Sequence, residues 1–95
     1  MSGDPAECRA EGSAVVASSH GVHARPSHAL VTTAAAFDAK VELEFSGRRA
    51  DARSILSVMT LGAPAGATVI VRAVGPQAAQ AVAALLEILR APEPR

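Results

Sequence analysis

The sequence predicts an α+β fold, an open-faced sandwich in which a four-stranded antiparallel sheet is covered on one face by three helices. Three features point to it. Residues 39–45 alternate Ala39, Val41, Leu43 and Phe45 against Lys40, Glu42 and Glu44, the pattern of a strand with one wet face. Two segments, one opening at Ala24 and one after Gly75-Pro76, repeat apolar residues at helical spacing. The elements follow one another as strand, helix, strand, strand, short helix, strand, helix, an order that segregates helices to one side of an antiparallel sheet.

Taken in order, Ser13 to Ser18 is short and β-branched enough for a first strand. A helix is expected from about Ala24 to Phe37, with Leu30, Val31, Ala34 and Phe37 on its apolar face. Thr32 and Thr33 lower its propensity, so packing must supply most of its stability. After the strand at 39–45, Ser46-Gly47 suits a two-residue hairpin turn because glycine adopts positive φ freely. Arg48 to Ala52 returns beside it. Ser54 to Gly62 holds about two helical turns, with Ser54 a good N-cap and Gly62 a good C-terminal stop. Residues 67–74 form the last strand, and the last helix buries Ala79, Val82, Leu86 and Leu89. Leu30, Val31, Phe45, Val69, Leu86 and Leu89 are expected in the core.

Ninety-five residues make one small domain. Hydrophobic residues are 49% and aromatic ones 2%, so the core must be Ala, Val, Leu and Ile with two Phe. Nine basic residues balance nine acidic ones, which argues against a general nucleic-acid binder. The lone Cys8 cannot form an intrachain disulfide and suits a reducing cytoplasm. No apolar run approaches a membrane span, and the mixed-charge start of the chain has no apolar signal-peptide core. We expect residues 1–12 to be a flexible arm, 13–91 the folded domain and 92–95 a frayed tail.

Gly21-Val22-His23-Ala24-Arg25-Pro26 carries the chemistry. Pro26 lacks an amide hydrogen and has φ preset for a first helical turn. That turn exposes unpaired backbone N–H groups at the positive end of the helix dipole. His23 therefore sits where a bound or covalent phosphate would be held by amides and by the permanently charged Arg25. The alternative is a capping histidine beside a solvated arginine. His20, His23 and His28 do not share a helix face and have no carboxylate or thiolate with them, so no metal is expected. The short helix offers Ile55, Leu56 and Met59, more apolar surface than it can bury beneath itself. Leu56 and Met59 are therefore read as a docking patch.

With its motifs placed, the chain from Ser13 to Arg90 resembles the HPr family, the histidine-containing phosphocarriers of the bacterial sugar phosphotransferase system. The Gly-Val-His-Ala-Arg-Pro block matches the family's active-site loop, and the block from Arg53 to Gly62 matches its second signature. The resemblance implies that His23 is the phosphoacceptor, forming pros-phosphohistidine, with Arg25 stabilising the phosphate. It implies loading from phosphorylated enzyme I and delivery to an EIIA-type acceptor domain. Ala24, His28, Ile55, Leu56 and Met59 would touch these partners. Ser54 falls on the serine that an HPr kinase/phosphorylase modifies in some members, while capping alone would also explain it. The expected protein is a cytoplasmic monomer, a carrier and not an enzyme, without cofactor, nucleic-acid partner or membrane insertion.

Three kinds of departure bear on the partners. His20 stands where the family usually has a small cap, and His28 where it has a small residue. Thr32, Ala35 and Ser57 replace family lysines near the active site. A regulatory HPr-like paralogue, kinase-controlled or in a nitrogen branch, is the alternative function.

Overall fold

The computed structural model describes residues 8–17 and 24–91, the side chains of 24 and 25 excepted. Its elements are β1 (Arg9–Val15), α1 (Ala24–Ala35), β2 (Lys40–Phe45), β3 (Arg48–Asp51), α2 (Ile55–Thr60), β4 (Thr68–Val74) and α3 (Ala78–Arg90). The four strands form one antiparallel sheet in the order β1-β4-β2-β3. The predicted fold class is the observed one.

Alternation along each strand decides which side chains meet the helices. Val41 and Leu43 of β2, Val69, Val71 and Ala73 of β4 and Ala14 of β1 are buried on the covered face, with Leu30, Ala34, Val58, Leu85 and Leu89 from the helices. The opposite face carries Lys40, Glu42, Glu44 and Arg72, and there Arg72 bonds both Glu11 of β1 and Glu44 of β2. A row of opposite charges across three strands thus occupies the wet face. The hairpin turns on Ser46 and Gly47, both with positive φ (53° and 81°), the geometry that matches strand twist.

Several boundaries differ from the sequence expectation. The first strand spans Arg9–Val15, not 13–18, so Arg9 to Gly12 pair with β4 and do not belong to an arm. Composition hid this. Arg9 and Glu11 face solvent, and Ala10, Gly12 and Ala14 face α3 with side chains too small to signal a strand. The rest of the expected arm, residues 1–7, Ser18 and the expected tail 92–95 lie outside the described residues.

Helix α1 ends at Ala35, and Phe37 follows in a turn made by Ala36 and Phe37 N–H donating to Thr33 and Ala34 carbonyls. Helix α3 buries Ala78, Ala81, Val82, Leu85 and Leu89. Ala79 is exposed and Leu86 half-buried, a stripe turned from the expected one, with Leu86 and Val82 lying over Gly12 of β1, whose missing side chain leaves them room. Val31, Phe45 and Leu86 pack at the margin of the core, and Leu30, Val69 and Leu89 lie within it.

Candidate functional site

Helix α1 begins at Ala24, so Pro26 occupies its first turn, where a missing N–H costs nothing. His23 is the residue immediately before that helix in the chain. His20 and His23 themselves, and the side chains of Ala24 and Arg25, lie outside the described residues. One turn on, Ser27 is fully buried, and among the described residues its Oγ has no hydrogen-bond partner. Helical side chains lean toward the preceding turn, so this hydroxyl leans toward the start of α1. His28 is exposed on the outer side of the helix.

Helix α2 packs against α1 and β3. Ser54 precedes it in extended conformation (φ −120°, ψ 112°), and its Oγ accepts the Ser57 N–H at 3.2 Å. The expected cap is therefore present. Gly62 follows with φ +71°, the left-handed value that ends a helix. Val58 points into the core at 0% exposure, which turns the opposite side of α2 outward. Leu56 is 74% exposed, Met59 39% and Ile55 38%. The predicted patch is on the surface, formed because two turns of helix can bury only one stripe.

The turn before Ser54 contains a clasp that the sequence reading missed. Asp51 Oδ1 accepts the Arg53 N–H at 2.9 Å, and the Arg53 guanidinium returns to the same carboxylate, with Nη2 3.0 Å from Oδ2. These bonds, the side-chain one foremost, hold the Asp51 carboxyl below its ordinary pKa. The Ser54 N–H donates to the Asp51 carbonyl at 3.0 Å. The signal was available, since an aspartate two residues before an N–H favours this turn. Arg48 was also passed over. It leans toward the end of α2 and borders a groove beside Leu56.

Among the described residues no cluster of three His, Cys, Asp or Glu converges on a metal position. No described helix is long and apolar enough to cross a membrane.

A sheet covered on one side by helices, with α1 and α2 side by side, defines the class of small open-faced α+β sandwiches. A family model described as "PTS HPr component phosphorylation site" matches residues 10–91. The chain belongs to the PTS-HPr family, the phosphocarriers of the phosphotransferase system that serves sugar transport. The phosphocarrier HPr of Bacillus anthracis is similar, at 26% identity over 88% of this chain and 100% of that one, TM-score 0.83. An HPr of Thermoanaerobacter tengcongensis is 30% identical over 84% of this chain and 90% of that one, TM-score 0.79. Crh, the catabolite repression protein of Bacillus subtilis, is 30% identical over 77% and 87% respectively, TM-score 0.64, and is described as a dimer with a swapping domain.

Proposed function

We propose that this protein accepts a phosphoryl group on His23 from phosphorylated enzyme I and passes it to an EIIA-type acceptor domain. The observation that carries this reading is a phosphorylation-site family match spanning 10–91, with His23 preceding in the chain the Ala24-Arg25-Pro26 that opens α1. Neutral imidazole attacks phosphorus through Nδ1, and an N–P bond forms as the donor's bond to phosphorus breaks. A helix N-terminus disfavours imidazolium, so it favours the nucleophilic form near neutral pH. The product phosphate then gains the first-turn N–H groups and the Arg25 guanidinium. That support stays moderate, because a carrier must release what it holds.

In this reading Ala24, His28, Ile55, Leu56 and Met59 contact partners, and Ser54 is a regulatory phosphorylation site for an HPr kinase/phosphorylase. The protein works as a cytoplasmic monomer, a carrier with no cofactor of its own. Incubation with enzyme I and labelled phosphoenolpyruvate tests the central step. We expect acid-labile label on the parent, none on His23→Ala, and retained label on His20→Ala and His28→Ala. Label persisting on His23→Ala would overturn the assignment. Arg25→Ala should melt within about 0.5 kcal/mol of the parent, as exposed charges do, yet accept label more slowly.

The similarity to Crh favours a second reading, a regulatory paralogue that does not transfer phosphate. His23 together with Arg25 argues against it. A parent that takes no label from enzyme I, but is phosphorylated on Ser54, would establish that alternative. A dimer in sedimentation would replace the monomer.

A further inference from the structure

Ser27, Leu30 and Ala34 make the stripe that α1 turns to the core, all three at most 4% exposed. Ser27 is the one polar side chain fully buried among the described residues. Its Oγ is also the one buried side-chain N or O atom there without a hydrogen-bond partner. A helical serine commonly relieves its hydroxyl on a backbone carbonyl three or four residues back. Ser27 makes no such bond to the Ala24 carbonyl, three residues back. Alanine would complete the apolar stripe without the cost of an unpaired buried hydroxyl.

The hydroxyl sits one turn into a helix of 12 residues and leans toward its N-terminus. That end is short of donors. Of Ala24, Arg25 and Pro26, which open the helix, the proline has no N–H, so two amides are left to point out of it. A phosphoryl group brings three acceptor oxygens. The residue directly after the proline carries an unspent O–H, whose hydrogen rotates to suit an acceptor. A donor unused at the mouth of a helix, where an anion is favoured, is placed to serve that anion.

We propose that Ser27 is a phosphoryl-binding residue of the carrier: once the group is on His23, the Ser27 Oγ–H donates to a phosphoryl oxygen. This rests on the carrier reading and adds to it a donor beyond the first-turn amides and Arg25. The serine keeps its proton and no bond to phosphorus changes. A hydroxyl that costs stability before phosphorylation and gains a partner after it favours the phosphorylated form, so its effect belongs in the transfer equilibrium.

The test equilibrates the full chain with phosphorylated enzyme I and reads how labelled phosphate divides between the two proteins. Ser27→Ala should move the division about tenfold toward enzyme I, the lower end for a hydrogen bond to a charged acceptor. Ser27→Cys keeps the shape but only a weak donor, and should behave like Ser27→Ala. Urea midpoints of both forms separate binding from packing. Relative to the parent, Ser27→Ala should be more stable unphosphorylated and less stable phosphorylated. An unchanged division of label in Ser27→Ala would overturn the proposal, as would a division restored in Ser27→Cys. So would a lower midpoint for unphosphorylated Ser27→Ala, because the hydroxyl would then already have its partner. A parent that takes no label would remove the carrier reading itself, before any variant is compared.

Discussion

The Oγ of Ser54 accepts the Ser57 N–H at 3.2 Å while its carbonyl takes the Val58 N–H at 3.0 Å, so one serine both caps and starts α2. Ser54→Ala should lose about 1 kcal/mol, the usual cost of a lost cap. Ser54→Asp should keep the fold, because a carboxylate also caps and suits the positive end of the helix. Its charge stands beside Leu56 and Met59, so loading by enzyme I should slow in Ser54→Asp and not in Ser54→Ala. Circular dichroism and labelling kinetics on the three proteins check this. Equal rates in all three would leave Ser54 a cap alone.

Ser27 is fully buried, and its hydroxyl is unpaired among the described residues. An unsatisfied buried hydroxyl costs about 1–3 kcal/mol. Ser27→Ala should therefore raise stability by about 1 kcal/mol, a melting shift of about 4–8 °C for a domain of this size. A lower melting temperature would show that the hydroxyl has a stabilising partner.

Two glycines should respond differently to alanine. Gly75 has φ +142°, and a Cβ there would lie 2.8 Å from Ala39 Cα and from Asp38 O, both backbone. Gly75→Ala should cost about 2 kcal/mol or more, since neither the dihedral nor the backbone can yield cheaply. At Gly12 the Cβ would meet the Leu86 Cδ1 at 2.7 Å, the end of a half-buried side chain that can rotate. Gly12→Ala should cost about 1 kcal/mol. Urea melts of both variants compare them, and a larger loss at Gly12 would refute the ranking.

Acid should weaken the fold through Glu44. The hydrogen bond from Arg72 foremost, then the charges of Arg72 and Arg49, holds its carboxyl below the ordinary 4.5 against the opposing effect of burial. A carboxylate with a lowered folded pKa stabilises fully above its unfolded pKa and loses that contribution as pH falls through the folded one. The parent's melting temperature should drop below about pH 4.5, and Glu44→Gln should flatten the drop. Added salt should shrink the difference, since the pair is partly exposed. Identical acid profiles would show that Arg72 contributes through packing alone.

Much of the site was legible because its signals are local. Pro26 in a first turn, Ser54 before an apolar turn and Gly62 after it act through their own dihedrals and hydrogen bonds, and each falls where the sequence places it. The Asp51–Arg53 clasp is equally local and was missed only because two charged residues at that spacing also read as a solvated turn. Arg48 is different. Its place beside Gly62 and Leu56 comes from packing.

The sequence by itself determined the element order, the fold class, the hairpin turn at Ser46-Gly47 and the outward face of α2, because periodicity and turn chemistry are written residue by residue. Only the tertiary structure decided that Arg9 to Gly12 are a strand and which stripe of α3 is buried. Glu11 finds Arg72 opposite it on β4, and Gly12 leaves room for Leu86 above it. Small and charged residues have weak intrinsic strand preference, so their conformation was set by the partners that long-range pairing supplied.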